Sequence, residues 1–273
     1  MRIYLMTDME GVAGILDWEN WCRPGAAYYD LGKELLTGEV NAAVDGFFAG
    51  GATEVVVADG HGSGGINPLL LDRRAQLMRG WPAGYPLGIE ESKYDAIAWV
   101  GQHAKAGTEK AHLAHTQSFS YLDLSINGIS IGEFGQMVFC AAQYGVPAIF
   151  GAGDLAFTKE AAELVPGIET VAVKRGLRSG AGEDLTAEAY GRYNTAAIHL
   201  APEKAREEIR AGAFRAVQRF REAPFGLRTL KPPFERVAIF RGQDGAPKTI
   251  SRETHPTDLC ALMNMPFNPQ PMN

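Results

Sequence analysis

"RIYLMTDMEG", residues 2–11, begins as a strand and ends as a turn. The branched and aromatic side chains of "RIYLM" suit extended backbone, and the glycines of "EGVAG" terminate it. Asp8 and Glu10 therefore stand at the carboxyl-terminal lip of the strand. Side chains two residues apart point the same way in a twisted strand, so both carboxylates can face one point in space. Such a pair repels itself and needs a solvating surface, a basic partner or a metal ion to offset the repulsion.

Working outward, the arrangement recurs. "YYDLGKELLTGEVNAAVDGFFAGG" (28–51) spaces Leu31, Leu35, Val40, Val44 and Phe47 as one face of a helix, stopped by Gly50 and Gly51. "EVVVADGHGSGG" (54–65) reads as a buried strand opening into a glycine-rich loop, and "YDAIAWVGQHA" (94–104) as another, broken at Gly101. "SFSYLDLSINGISIGE" (118–133) alternates polar and apolar residues around Asn127-Gly128, a hairpin signal. A helix is expected from about Glu133, then a strand at "PAIFGAGD", a helix around "KEAAELV", helical stretches between 186 and 220, and a strand at "PFERVAIF" (233–240). This alternation predicts an α/β fold, three-layered with a largely parallel sheet, plus a smaller α+β lobe. Residues 1–240 read as the catalytic unit, of two intertwined lobes, and residues 241–273 as an irregular tail ending in the proline-rich "MPFNPQPMN".

The whole chain narrows the function classes. Its 273 residues suffice for a large core, and 46% hydrophobic with 21% charged residues is ordinary for a globular protein. No run approaches the ~18 apolar residues that span a bilayer, and the N-terminus lacks a signal-peptide pattern, so no membrane partner and a cytoplasmic location are expected. Cys22, Cys140 and Cys260 are odd in number and far apart, which predicts free thiols. A formal net charge of −6 argues against nucleic acid and for small substrates.

In parallel sheets, sites form at the carboxyl ends of strands. The first strand brings Asp8 and Glu10 there, the second Asp59 and His61, the third His103, and Glu133 follows the hairpin. Carboxylates and imidazoles without thiolate suit Zn²⁺, Mn²⁺ or Co²⁺ better than an iron–sulfur or copper(I) centre. Asp8, Glu10, His61, His103 and Glu133 exceed one tetrahedral site and together can hold two ions with a bridging carboxylate, a set whose natural chemistry is hydrolysis. Asp59 reads either as a residue orienting a ligating imidazole or as a surface acid. His112 and His115 read either as loop residues in solvent or as a general acid or base. The "GHGSGG" loop lacks the lysine of a P-loop and the spacing of a dinucleotide fingerprint.

"TDMEGVAGI", "ADGHG", "GQHA", "LAHTQS" and "INGISIGEFG" together resemble the D-aminopeptidase (DppA-like) family of zinc metallopeptidases, over roughly residues 1–200. The resemblance implies two zinc ions, with Asp8 as the bridge, Glu10 and His61 on one ion, and His103 and Glu133 on the other. It implies that His115 is the catalytic histidine and that His112 is additional to the pattern. It further implies removal of N-terminal amino acids, D-residues preferred, from short peptides, and a homo-oligomer in the form of a ten-subunit ring. Two rivals remain: another dinuclear hydrolase, an amidase or a phosphoesterase using basic residues such as Lys105 and Lys110, and a non-catalytic peptide-binding transport protein, which needs no metal cluster.

Overall fold

Alternate residues of the first strand enter different cores: Ile3 and Leu5 pack on one face of the sheet, Tyr4 and Met6 on the other. A strand buried on both faces belongs to a sheet covered on both sides. The computed structural model describes every residue except 82, 244 and 273. In chain order its elements are β1 (Arg2–Thr7), α1 (Trp18–Trp21), α2 (Tyr29–Gly50), β2 (Glu54–Asp59), β3 (Gln76–Met78), β4 (Ala96–Gln102), β5 (Tyr121–Ile126), β6 (Ile129–Ser130) and α3 (Glu133–Gln143). There follow β7 (Ala148–Asp154), α4 (Leu155–Leu164), β8 (Glu169–Gly176), α5 (Ala187–Tyr193), β9 (Ala197–His199), α6 (Pro202–Glu222), β10 (Phe234–Phe240), β11 (Thr249–His255), α7 (Leu259–Asn264) and β12 (Gln270–Pro271).

The main sheet has the order β3-β2-β1-β4-β7-β8-β9 and is parallel except for its β8–β9 edge. Helices α2 and α6 pack together and share one core with Ile3, Leu5, Val55, Val57, Ala98 and Val100. On the opposite face Trp99 meets Phe134 of α3 edge-on. A second sheet, β12-β11-β10-β5-β6, is antiparallel throughout. The α/β class, the largely parallel sheet and the smaller lobe all follow the expectation. The hairpin is also as read: Asn127 and Gly128 take φ of 49° and 77°, as a two-residue turn of primed type requires.

Two readings are corrected. The inward face of α2 runs through Leu36, Val40, Val44 and Phe47, while Leu31 is 46% exposed. The stretch after 241 is not an irregular tail: β11 pairs along its length with β10, and α7 packs against α3. Hydropathy hides β11 because its inward residues, Ser251 and Glu253, are polar. Arg236 compensates. Its buried guanidinium bonds Glu253 Oε2 at 3.0 Å, donates to the carbonyls of Met263 and Met265, and lies 3.8 Å from the Phe267 ring centre.

Candidate metal centre

The chain reverses direction of growth at β1: β2 and β3 add on one side, β4 and β7 on the other. A crevice opens outside the carboxyl ends of strands at such a switch point. Asp8 and Glu10 leave β1 there, His61 leaves β2, and His103 leaves β4. The exits of β1 and β4 are pressed together: Asp8 N–H donates to Val100 O at 3.0 Å and Gly11 N–H to Gly101 O at 2.7 Å. Gly101 has φ of +78°, and a β-carbon on it would lie 1.9 Å from Asp8 O, so only glycine permits this approach. Glu133 arrives after the β5–β6 hairpin as the first residue of α3.

Asp8 divides its carboxylate between two imidazoles. Oδ1 lies 3.1 Å from His61 Nδ1, and Oδ2 lies 3.1 Å from His103 Nε2. Glu10 Oε2 is 3.1 Å from His61 Nδ1, and Glu133 Oε1 is 3.7 Å from His103 Nε2. His115 joins this second group, its Nε2 also 3.7 Å from Glu133 Oε1. The sequence-derived set thus comes together in one place, His115 included.

Each imidazole is oriented by a backbone carbonyl behind it. His61 Nε2 is 2.7 Å from Cys22 O, His103 Nδ1 is 2.9 Å from Ala104 O, and His115 Nδ1 is 2.8 Å from Leu113 O. A carbonyl only accepts, so those nitrogens carry the protons and the opposite nitrogens turn their lone pairs inward, the usual preparation of a metal-binding histidine. Gln117 N–H donates to Glu133 Oε1 at 2.7 Å, and Gln102 Nε2 donates to Asp8 Oδ2 at 3.3 Å.

These residues suit transition-metal binding. Buried Glu10 Oε2 and His103 Nε2 make no hydrogen bond among the described residues, although ligand-type atoms stand within 3.1 Å of each. Separations of 3.1–3.7 Å match the edge of a tetrahedron built on metal–ligand bonds of about 2.0–2.2 Å, roughly 3.3–3.6 Å. The centre also demands positive charge. Burial disfavours the charged form of His103, yet Glu133 and Asp8 raise its imidazole to about 10. Burial likewise opposes ionisation of Asp8, but His103 and His61 hold its carboxyl well below the usual range. Protons or metal cations are the two ways of supplying that charge.

Several residues depart from expectation. His112 is fully buried away from the centre, its Nε2 3.1 Å from Leu16 O and its ring edge-on to His199, so it is neither a solvated loop residue nor a base for this site. Asp59 accepts from Gly65 N–H at 2.8 Å and Ile66 N–H at 3.4 Å; it shapes the loop carrying His61 and does not hold the ring. Lys105 Nζ is tied to Ser130 Oγ at 2.8 Å, and with Lys110 it lines a different cavity. Sequence reasoning missed the buried supports of the first loop. Glu39 of α2 accepts from Ala13 N–H at 2.8 Å, and Lys174 of β8 donates to Glu10 O. A charged residue inside an amphipathic helix or an edge-ward strand reads as surface, so no signal marked them.

The centre forms the floor of a cavity of 440 Å³ with Trp18, Trp81, Tyr85, Trp99 and Met137 in its walls. A family model described as D-aminopeptidase (peptidase family M55) matches residues 1–250. A D-aminopeptidase of Bacillus subtilis (strain 168) is 32% identical over 200 residues, 71% of either chain. The structure described as "Zn-dependent D-aminopeptidase DppA from Bacillus subtilis, a self-compartmentalizing protease" shares the fold, with a TM-score of 0.80 over 97% of this chain and 95% of that one at 23% identity. With its strand-exit carboxylates and imidazoles in place, and with nearly its whole length matched, the chain belongs to the D-aminopeptidase family of peptidases.

Proposed function

We propose that this chain is a dinuclear zinc aminopeptidase that releases N-terminal D-amino acids from short peptides. Asp8, Glu10 and His61 hold one ion, Asp8, His103 and Glu133 the other, and Mn²⁺ or Co²⁺ are the alternatives suited to the same donors. The carrying observation is the division of Asp8 between His61 and His103, which gives one carboxylate an oxygen for each subsite. Ions held there supply a nucleophile from water at neutral pH and polarise the scissile carbonyl.

The chain's own residues supply the rest. His115 Nε2 is aimed at Glu133 with its proton parked on Nδ1, so the inward nitrogen is free to take a proton from the attacking water and return it to the leaving amine. Aromatic walls exclude water and give side-chain contact. Within the carboxylate-lined floor a peptide's free α-amine is the favoured end group, and its capture places the neighbouring carbonyl for attack. Arg23 is the one Lys or Arg among the described residues lining this cavity, which favours peptides over phosphoesters.

Assembly into a homo-oligomer, as a ring of ten, and a cytoplasmic location belong to the same reading; the related structure described as a self-compartmentalizing protease supports enclosure of the sites.

The test is a panel of D- and L-aminoacyl peptides, free and N-acetylated, with a phosphoester included, assayed on zinc-replete protein. Free D-aminoacyl peptides are expected to be cleaved fastest. Faster cleavage of the L series removes the stereochemical part and leaves the aminopeptidase; turnover of only acetylated peptides or phosphoesters removes both.

A further inference from the structure

One carboxylate outside the ligand set ties together the two segments that carry the ligands of the second ion. Glu160 lies on α4, and its Oε2 accepts from Lys105 N–H at 2.9 Å while its Oε1 accepts from Gly132 N–H at 3.3 Å. Lys105 follows His103 by two residues, and Gly132 immediately precedes Glu133. We propose that Glu160 is a positioning residue for the His103–Glu133 subsite, its single carboxylate setting the distance between the β4 exit and the start of α3. The proposal rests on the dinuclear reading above.

Three observations converge on it. His103 and Glu133 come from separate parts of the fold, β4 of the main sheet and the helix that follows the β5–β6 hairpin, so nothing local in the sequence sets their separation. The two segments are in contact at Gly132: a β-carbon there would lie 2.9 Å from Lys105 Cβ, 3.0 Å from Lys105 Cα and 3.3 Å from Glu160 Oε1. Gly132 is also the N-cap of α3 and brings no side-chain acceptor of its own, so Glu160 takes up an N–H beside the helix start. The side chain of Lys105 makes a further tie between the same segments, through Ser130 O at 3.2 Å and Ser130 Oγ at 2.8 Å.

The other subsite hangs from different anchors. The loop that carries Glu10 is held by Glu39 at Ala13 N–H and by Lys174 at the Glu10 carbonyl, and His61 by the loop that Asp59 shapes. Loosening Glu160 therefore separates His103 from Glu133 and leaves Asp8, Glu10 and His61 in place. A residue that merely stabilised the fold would not discriminate between the two.

The experiment counts zinc retained by the full chain against a series of zinc buffers, for the parent and for Glu160→Ala, Glu160→Gln and Gly132→Ala. The parent is expected to hold two ions. Glu160→Ala should keep one at the parental affinity and bind the other about 10- to 100-fold more weakly, the usual effect of losing a partner behind a metal ligand. Glu160→Gln, which keeps an acceptor oxygen in the same shape, should fall between the two, and Gly132→Ala should repeat the selective loss by wedging the segments apart. Gly132→Ala and Glu160→Gln carry the test if Glu160→Ala does not fold. Two ions held at parental affinity by the variants overturn the proposal and leave the dinuclear reading intact. Equal weakening of both ions, with a lowered melting temperature, reduces Glu160 to a structural residue and also overturns it. A parent that holds one ion overturns the dinuclear reading and the proposal together.

Discussion

The imidazoles of His103 and His115 lie face to face, with ring centres 3.9 Å apart and planes 17° from parallel. Both turn Nε2 toward the same oxygen of Glu133 at 3.7 Å, and both direct Nδ1 at a backbone carbonyl. Under the proposed function their duties would separate: His103, also 3.1 Å from Asp8, would serve a metal, and His115 the proton. His115→Ala is expected to retain both ions by elemental analysis while losing about 10²–10⁴ in kcat, the scale of a general acid or base. Loss of an ion in that variant moves His115 into the ligand set.

The Asp8 carboxylate gives an unequal pattern of losses. Because its two oxygens face different imidazoles, Asp8→Ala should empty both subsites, whereas His61→Ala should cost one ion and leave the other. Zinc counting on purified variants checks this directly. An Asp8 variant that keeps one ion as tightly as the parent contradicts a bridging role.

Arg236 makes a prediction about the second lobe. It is 1% exposed, and its removal leaves the buried Glu253 side chain with Ser251 and Asn268 N–H as its remaining partners among the described residues. Breaking a buried pair in this way costs about 3–5 kcal/mol, and it should lower the melting temperature of Arg236→Met by roughly 10 °C. The double variant Arg236→Met, Glu253→Met should recover much of that loss, since it removes the acid left without its arginine. No recovery in thermal unfolding would place the importance of Arg236 in its bonds to the Met263 and Met265 carbonyls.

What the sequence disclosed depended on where polar residues fell. Asp8, His61 and His103 were legible because each follows an apolar strand at a glycine-marked end, and parallel topology then gathers strand ends in one crevice. Glu133 needed the hairpin signal of Asn127-Gly128 to place it. Hidden were the elements whose inward face is polar. β8 passed unread because buried Lys174 interrupts its apolar alternation, and β11 because Ser251 and Glu253 face inward toward Arg236. Glu39 and Glu160 sit on helices where a glutamate ordinarily faces water, and only tertiary structure shows them bonded to backbone N–H groups of the ligand-bearing loops.

His112 supplies the pH dependence. Burial, with Lys174 and His199 nearby, lowers its imidazole to about 2 against the opposing backbone contacts with Leu16 and Thr195, so the folded chain resists a proton on that ring. The unfolded chain takes that proton at the ordinary value near 6.5. Between 6.5 and 2 the unfolded state thus binds a proton that the folded state refuses, and stability must fall as pH falls through this window. The stability contributed by neutral His112 is fully present above 6.5, and its loss in acid is on the order of a few kcal/mol. His112→Gln keeps an N–H near Leu16 O and cannot titrate. Urea midpoints of parent and variant, followed from pH 8 to pH 4, are expected to favour the parent at the alkaline end and to converge or cross in acid, with peptidase activity at pH 8 close to parental because His112 stands apart from the metal centre. Curves that stay parallel across the range would assign the acid lability to other groups, and a large loss of turnover at pH 8 would return His112 to the catalytic machinery.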